Sequence, residues 1–303
     1  MRLVTLAPAK VNLVLRVGPP RPDGYHEVLS LLVPLDLADR VDVTVSRRPG
    51  GVSCRVAGRP ELDGPSNLAA RAAALVKERF GRPEAVAIRI AKRIPVTAGR
   101  GGGAADAAAV IRVLARAFAI RDRAALAEIA LAIGSDVPFF LGAGAAWARG
   151  RGEALSPARV PPLDLVLAYP RDPALAIRAA DAYRWLDEDR PAAPILPRRA
   201  TPYRPSLLGN DLEAPGLARR PALAPLLGRL VGHGAAKAIM SGSGPTVLGV
   251  FPGRRPAREA ARAIQKGVGP QVQVFAVRTV RRQPRVTPWR SPRSASSPST
   301  RRS

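Results

Sequence analysis

The sequence is poor in residues on which several protein classes depend. It has one cysteine, Cys54, so it cannot form an intrachain disulfide. Aromatic residues make up 4% of the 303 residues, which leaves few rings to stack on nucleic-acid bases. No apolar run approaches the roughly 18 residues that a membrane span requires. These absences predict a cytoplasmic protein without a membrane segment.

Acidic residues are also scarce: 23 against 48 lysines and arginines, for a formal net charge of +25. A basic surface attracts phosphate without reading sequence, so nucleic-acid binding is one hypothesis. The basic residues, however, are mainly arginines scattered along the chain without interleaved aromatics. We interpret the charge as a compositional bias toward Arg and Ala and expect no specific nucleic-acid partner. Residues 281–303 have seven arginines, no acid and many Ser and Pro, so we expect a disordered tail there.

The most unusual stretch that is present is residues 95–105, which contains four glycines in five positions. Glycine loses more backbone entropy on folding than any other residue, so this cluster predicts positive φ angles or close approach of a ligand. Residues 106–118 follow with the apolar spacing of a helix. A loop that opens a helix offers unpaired N–H groups to an anion, and phosphate is the expected ligand. The alternative is a flexible turn before a core helix.

Two common phosphate-binding loops do not fit this stretch. A P-loop requires Lys followed by Ser or Thr, and Arg100 and Ala104 supply neither group. The dinucleotide fingerprint matches loosely at Gly99, Gly101 and Ala104, but a predicted helix fills the interval where that fold needs a second strand. We therefore reject a nicotinamide cofactor.

Polar side chains interrupt the first predicted strand, which lies within residues 3–17. Because strand side chains repeat every two residues, Lys10 and Asn12 project from the same face. They predict a polar site at one end of a sheet, and the alternative is a solvated edge.

Three further residues are candidates for a site. Tyr25 and His26 end a loop of turn residues, and an aromatic beside a hydrogen-bonding ring suits a planar ligand; the alternative is that Tyr25 packs on the strand. Asp136 lies between a helix-ending glycine and a proline. It is either a partly desolvated carboxylate with a function or an Asx turn.

Six motifs in this sequence occur in the same order in the galactokinase, homoserine kinase, mevalonate kinase and phosphomevalonate kinase superfamily. The chain resembles that superfamily over about residues 6–251. The motifs are residues 7–13 (APAKVNL), 21–26 (RPDGYH), 95–105, 134–140 (GSDVPFF), 210–213 (NDLE) and 241–246 (SGSGPT).

The resemblance implies an α+β, two-domain small-molecule kinase fold. Residues 1–158 would form the N-terminal ATP-binding domain, with a left-handed β-α-β crossover that is rare elsewhere. Residues 159–280 would form a C-terminal ferredoxin-like α/β sandwich, followed by the basic tail. ATP and substrate would meet in the cleft between the domains.

The motifs are most similar to the branch that phosphorylates the C2 hydroxyl of a cytidine diphosphate derivative of methylerythritol, in the non-mevalonate isoprenoid pathway. This implies ATP and Mg²⁺, with the ion held mainly through phosphates and no protein metal ligand assigned. Asp136 would be the general base and Lys10 its catalytic partner. The resemblance also implies a monomer or weak homodimer whose only partner is the small-molecule substrate.

The same resemblance assigns two groups of binding residues. The substrate would contact Asn12, Tyr25, His26, Lys92 and Tyr183, with the base between the two tyrosines and His26 at its edge. The ATP phosphates would be wrapped by Pro95, Val96, Thr97, Ala98, Gly99, Arg100, Gly101, Gly102, Gly103, Ala104 and Ala105.

The glycine loop departs from the superfamily pattern at two positions. Relatives usually have Leu where this chain has Arg100 and Ser where it has Ala104. The missing hydroxyl predicts weaker ATP binding, with Arg100 as a compensating cation. Two alternatives follow: a superfamily kinase that acts on another small alcohol, and an ATP-binding protein that has lost its activity.

Overall fold

Two β-sheets with helices packed on them make up the described part of the protein. The computed structural model describes residues 1–95, 101–142, 144–190, 192, 194–197 and 201–289. In chain order the strands are β1 (Arg2–Pro20), β2 (His26–Pro49), β3 (Val52–Val56), β4 (Glu84–Ala91), β5 (Ala146–Arg149), β6 (Ala154–Pro157), β7 (Asp164–Pro170), β8 (Gly209–Asn210), β9 (Lys237–Met240), β10 (Val247–Phe251), β11 (Val272–Arg278) and β12 (Thr287–Pro288). The helices are α1 (Leu68–Arg79), α2 (Gly102–Ala117), α3 (Arg123–Ile133), α4 (Val137–Leu141), α5 (Ala179–Asp189), α6 (Glu213–Arg219), α7 (Ala224–Gly232) and α8 (Arg254–Val268).

The first sheet is built on the long antiparallel pair β1 and β2. Its strand order is β12-β1-β2-β4-β3, with β5 also on β2, β6 on β5, and β8 parallel to β1. The β1–β2 register shifts just before Lys10 and again just after Asn12. Such β-bulges re-aim side chains, and they are common beside active sites.

The second sheet confirms the ferredoxin-like prediction. Its order is β11-β7-β10-β9, and every neighbouring pair is antiparallel. The chain runs from β7 through helices to the β9–β10 hairpin, and then through α8 to β11. This β-α-β-β-α-β sequence, with the last strand beside the first, defines the ferredoxin-like arrangement. The α+β fold class is confirmed as well.

Alanines allow α2 to lie deep in the N-terminal core. Every residue from 105 to 111 in this helix is buried, and α2 packs against α1, α4 and β1. Small side chains let a helix approach its neighbours closely, so α2 lies inside the domain from residue 105 onward, whereas Gly103 in its first turn is exposed. The glycine loop therefore meets α2 where the buried helix reaches the surface.

A hydrophobic cluster joins the two sheets. Val11 and Leu13 of β1 and Leu31 of β2 pack in the same cluster as Leu165 and Leu167 of β7. These β1 side chains alternate with Lys10 and Asn12 along the strand. The cluster therefore fixes the strand that carries both polar residues.

The segment after β11 returns to the first sheet. In β12, Pro288 lies opposite Leu3, and the backbone N–H of Trp289 donates to the carbonyl of Arg2. The Arg2 guanidinium also lies 4.1 Å from the centroid of the Trp289 ring. The prediction of disorder from residue 281 onward is therefore wrong for residues 281–289, because backbone pairing and ring contacts order them. Residues 290–303 lie outside the described part of the chain.

None of the helices in the described ranges is both long enough and apolar enough to cross a membrane.

Candidate active site

Lys10 and Asp136 meet beside the N-terminal end of α2. The Nζ atom of Lys10 lies 3.5 Å from Oδ2 of Asp136. The two side chains differ in their surroundings, because 7% of the Lys10 side chain is exposed and 41% of that of Asp136. A buried cation thus faces a carboxylate that solvent or a substrate can reach.

A buried hydrogen-bond network orients Lys10. Its ammonium donates to Oδ1 of Asn12 at 3.0 Å, and Nδ2 of Asn12 donates to Oγ of Ser30 at 2.7 Å. The Ser30 hydroxyl in turn donates to the carbonyl of Val14 at 3.0 Å. Because Lys10 and Asn12 are both buried, the alternative of a solvated strand edge is wrong. Asn12 supports Lys10, and it retains one N–H for another partner.

The turn between β9 and β10 closes over Asn12. The backbone N–H of Asn12 donates to Oγ of Ser241 at 3.2 Å. A Cβ on Gly242 would lie 3.2 Å from Oδ1 of Asn12, and Gly242 has φ +61°. This position therefore requires glycine for two reasons, backbone conformation and close contact. The C-terminal domain contributes in this way to the positioning of the Lys10 network.

Asp136 is held at the start of α4 without acting as a cap. It occupies the N-cap position, but its carboxylate makes no capping hydrogen bond to that helix. Val137, Phe139 and Phe140, which follow it, are buried in the N-terminal core and anchor the short helix. The backbone position of Asp136 is thus fixed, and its carboxylate faces Lys10.

The described end of the glycine loop passes directly beside Asp136. Gly101 has φ +66°, and a Cβ there would lie 3.5 Å from Oδ2 of Asp136 and 3.0 Å from the Phe140 ring. A Cβ on Gly102 would lie 3.3 Å from Nζ of Lys92. The loop backbone therefore approaches a carboxylate on one side and an ammonium on the other. This observation favours a phosphate site over a simple flexible turn.

The other predicted loop residues are distributed as follows. Pro95 is partly buried before the loop, Ala104 packs against the N-terminal core, and Ala105 is buried. The methyl group of Ala104 thus takes part in packing. Val96, Thr97, Ala98, Gly99 and Arg100 lie outside the described residues.

Lys92 lies between two buried carboxylates. Its ammonium is 2.6 Å from Oδ2 of Asp39 and 2.8 Å from Oδ2 of Asp106. Burial disfavours the charge on Lys92, but the carboxylates outweigh this effect and raise the pKa of Lys92 above its ordinary value. Burial also raises the pKa of Asp106 to about 7, although Lys92 opposes that shift. These contacts tie β2, the end of β4 and α2 together.

Asp39 also fixes the backbone that enters the glycine loop. Its Oδ1 accepts from the N–H of Arg93 at 2.5 Å and from the N–H of Ile94 at 2.8 Å. Sequence reasoning missed both Asp39 and Asp106. A sequence signal for both was available: each is an acid within an otherwise apolar strand or helix face. An acid in such a place is rarely buried without a partner.

Two of the predicted substrate residues form a stack at the other end of the site. The rings of His26 and Tyr183 lie 5.2 Å apart between centroids, at an interplanar angle of 19°. Nε2 of His26 is 2.9 Å from Oδ1 of Asp187, which sequence reasoning missed. Burial, with a smaller contribution from the Asp136 carboxylate, raises the pKa of Tyr183 to about 12, so its phenol is protonated at neutral pH.

Tyr25 lies outside this stack. It is 56% exposed, and the guanidinium of Arg151 lies 5.1 Å from the centroid of its ring. With this exposure, packing on the strand, the alternative, would cover at most part of Tyr25. Its exposed face is available to a planar ligand.

Asp136, Lys10 and the glycine loop together supply three chemical functions. Asp136 can accept a proton, Lys10 can neutralise negative charge beside it, and the glycine backbone can approach an anion. Together these groups suit the transfer of a phosphoryl group to a hydroxyl, where positioning and electrostatics carry most of the catalysis.

Comparisons with known protein families agree with this chemistry. Residues 67–144 match the family model described as GHMP kinases N terminal domain, and residues 204–269 match the model described as GHMP kinases C terminal. The first match includes α1, α2 and Asp136, and the second includes the β9–β10 turn that contacts Asn12.

Curated relatives give a narrower result. The chain is 72% identical to 4-diphosphocytidyl-2-C-methyl-D-erythritol kinase of Anaeromyxobacter dehalogenans strain 2CP-C, over 100% of this chain and 99% of the relative. It is 38% identical to the protein of the same name from Bacillus subtilis strain 168, over 82% of this chain and 88% of that one.

Solved structures agree. A crystal structure of 4-(cytidine 5'-diphospho)-2C-methyl-D-erythritol kinase superposes with TM-score 0.76 at 37% identity, over 91% of this chain and 98% of the other. A homoserine kinase from Cytophaga hutchinsonii superposes with TM-score 0.69 at 17% identity, over 94% and 97%, which shows a shared fold. The chain therefore belongs to the 4-diphosphocytidyl-2-C-methyl-D-erythritol kinase family of the GHMP kinases.

Proposed function

We propose that this protein transfers the γ-phosphoryl group of ATP to the C2 hydroxyl of 4-diphosphocytidyl-2-C-methyl-D-erythritol. The family membership supports the reaction, and one observation supports the assignment of the site. The Lys10–Asp136 pair, 3.5 Å apart, lies directly beside Gly101 of the glycine loop. A proton acceptor, a cation and a phosphate cradle are thus within one small volume.

In the proposed reaction, Asp136 accepts the proton of the C2 hydroxyl. The hydroxyl oxygen bonds to the γ-phosphorus of ATP as the bond from that phosphorus to the β,γ-bridging oxygen breaks, and ADP leaves. Because the Asp136 side chain is 41% exposed, it can return its proton to solvent after product release. General base catalysis of this kind contributes about 10²- to 10⁴-fold in rate.

Lys10 is proposed to hold the reacting groups in place. Its ammonium has a fixed direction because Asn12 accepts one of its hydrogen bonds. The remaining N–H groups can point to the substrate hydroxyl and to the transferred phosphoryl oxygens. A preorganised cation costs no reorganisation when negative charge develops, which is the main source of electrostatic catalysis.

The ATP phosphates are proposed to lie along the glycine loop, residues 95–105. In the described part of this loop, Gly101 and Gly102 leave no room for side chains and expose backbone to the phosphates. With Ala104 in place of serine, phosphate binding depends on backbone N–H groups and on the helix dipole of α2. We expect weaker ATP binding than a hydroxyl at residue 104 would give.

Mg²⁺ is proposed to arrive with ATP and to be held through phosphate oxygens. Among the residues that the structure describes, no group of three or more His, Cys, Asp or Glu side chains is suited to a metal ion. Asp136, a partly exposed carboxylate beside the described end of the loop, fits an ion that is coordinated mainly by phosphates and water, as Mg²⁺ commonly is. When bound, the ion neutralises charge on the phosphates.

The cytidine end of the substrate is proposed to bind near the His26–Tyr183 stack. The exposed ring of Tyr25 supplies a stacking face, and His26 supplies a ring nitrogen for the edge of the base. Asn12, with its free N–H, would contact the methylerythritol part. Lys92 is proposed to contact the substrate phosphates. Its ion pairs with Asp39 and Asp106 also support the backbone that enters the glycine loop.

An assay of ADP release tests the function. The purified protein is given ATP, Mg²⁺ and the cytidyl substrate, and separately galactose, homoserine or mevalonate. We expect turnover with the cytidyl substrate alone. Equal or faster turnover with one of the other alcohols would contradict the substrate assignment. ATP binding by calorimetry without any turnover would favour the inactive ATP-binding protein.

We further propose that the protein acts in the cytoplasm as a monomer or weak homodimer. The single, buried cysteine supports the location, because a protein without disulfides suits a reducing compartment. The oligomeric state is what the resemblance to the kinase superfamily implies. Light scattering after size-exclusion chromatography tests the oligomeric state, and a stable higher oligomer would contradict it.

A further inference from the structure

The contact between His26 and Asp187 has a chemical consequence for the proposed base site. Asp187 lies on α5, and His26 begins β2, so the contact joins two distant parts of the chain. Nε2 of His26 and Oδ1 of Asp187 are 2.9 Å apart, a normal hydrogen-bond length. Only 9% of the His26 side chain is exposed, compared with 46% of the Asp187 side chain.

An ionised carboxylate can only accept hydrogen bonds. Nε2 of His26 must therefore carry the proton in this contact. In a neutral imidazole one ring nitrogen is a donor and the other an acceptor, and the partner of one nitrogen determines the role of the other. Nδ1 of His26 is then an acceptor, and no protein group within the described ranges bonds to it.

The ring of His26 is also fixed in orientation. It stacks on Tyr183 at 5.2 Å between centroids, and Asp187 is four residues further along the same helix. Two contacts from one helix thus set both the plane of the imidazole and its rotation. Nδ1 is presented in a defined direction.

We propose that Asp187 is a positioning residue that holds His26 in the Nε2-protonated tautomer, so that Nδ1 accepts a hydrogen bond from the exocyclic amino group of cytosine and favours cytidyl over uridyl substrates. In a cytosine that is linked through N1, this amino group carries the only N–H donors of the base, whereas uracil has a carbonyl at the same place. The inference rests on the proposed function for its ligand, and on the observed contact for the tautomer.

The tautomer can be measured on the free protein. The sequence has two histidines, His26 and His233, so ¹⁵N-histidine labelling gives two imidazole spin systems, and His233→Gln assigns them. At about pH 8, above the ordinary range of imidazole titration, His26 should show a protonated Nε2 and an unprotonated Nδ1. A protonated Nδ1, either alone or in an imidazolium, would overturn the proposal.

Asp187→Asn is the sharpest variant, because an amide has similar size and can either accept or donate. The Nε2-protonated form is then no longer required, and we expect a mixture of tautomers. Glu188→Gln is the matched control: it changes the neighbouring exposed acid, which pairs with Arg184 and Arg219 and not with His26. An unchanged His26 tautomer in Asp187→Asn would overturn the proposal.

Base selection gives the second readout. We expect Asp187→Asn to lower the ratio of kcat/KM for cytidyl over uridyl substrate by about tenfold, mainly through KM, and Glu188→Gln to leave it unchanged. An unchanged ratio in Asp187→Asn would overturn the role in selectivity. Calorimetry with CDP and UDP gives a binding ratio without turnover. A wild-type protein that binds CDP but does not turn over would therefore contradict the proposed function and leave this test intact.

Discussion

Gly101 lies against Asp136 so closely that a Cβ at residue 101 would be 3.5 Å from the carboxylate oxygen Oδ2. The contact joins the proposed phosphate loop to the proposed base through a backbone that carries no side chain. Because Asp136 also faces Lys10, the loop, the base and the cation form one unit. Substitutions in any part of this unit should affect activity more than stability.

Gly101→Ala should reduce activity beyond the effect of backbone strain. Residue 101 has φ +66°, and a Cβ would lie 3.0 Å from Phe140, so both the loop path and α4 must shift. We expect a loss of about 1–2 kcal/mol in the free energy of unfolding, and a fall in kcat/KM for ATP. Steady-state kinetics and urea unfolding measure the two effects.

Gly81→Ala is the control for that variant. Gly81 has φ +59°, and a Cβ there would meet nothing within 4 Å. It should lose similar stability and keep its activity. Equal kcat/KM values in the two variants would contradict the proposed role of Gly101.

Asp106→Asn should change how stability depends on pH. Burial raises the pKa of Asp106 from 3.8 to about 7, so between these values the folded protein retains a proton that the unfolded chain has lost. This contribution is fully present below pH 3.8 and is lost as the pH rises through 7. The unfolding free energy of the variant, relative to wild type, should therefore increase across this window by on the order of 3 kcal/mol.

Urea unfolding at several pH values measures this difference. Asp172→Asn, at an exposed acid that caps the short helix Pro173–Leu175, provides the control and should show no such trend. A pH-independent difference between Asp106→Asn and wild type would contradict the assignment.

Tyr25→Ala should weaken the cytidyl substrate and leave ATP affinity unchanged. Stacking of a base on an aromatic ring is worth about 1–3 kcal/mol, so KM for the substrate should rise by about 10- to 100-fold. Stability should change little because Tyr25 is 56% exposed. Tyr25→Phe keeps the ring and serves as the control. An equal loss of affinity for both ligands would argue against base stacking at Tyr25.

Local patterns predicted part of the fold. Strand periodicity alone placed Lys10 and Asn12 on one face, and apolar spacing predicted the helix after the glycine loop. The α+β class came from the resemblance of the motifs to known kinases. Two details of the fold depend on contacts that local patterns do not report. β2 runs unbroken through Asp39, whose carboxylate is buried against Lys92. α1 is capped by Asn67, whose side chain accepts from the N–H of Ala69.

The site was predictable only in part. Nothing local in the sequence brings Asp136 to Lys10; the similarity of the motifs to known kinases supplied that expectation. The contacts of Asp39, Asp106 and Asp187 each join segments that are distant along the chain. Single-sequence patterns report which face a residue occupies and do not report its partner. The same holds for residues 281–289, whose order comes from pairing with β1.

The central claim, that Asp136 is the general base beside the phosphate loop, is tested most directly by kcat of Asp136→Asn in the coupled ADP-release assay. We predict a fall in kcat of about 10²- to 10⁴-fold, with ATP affinity by calorimetry nearly unchanged. Asp122→Asn is the matched control, because Asn caps the start of α3 as well as Asp does, and it should retain wild-type kcat. Near-normal turnover in Asp136→Asn would contradict the account.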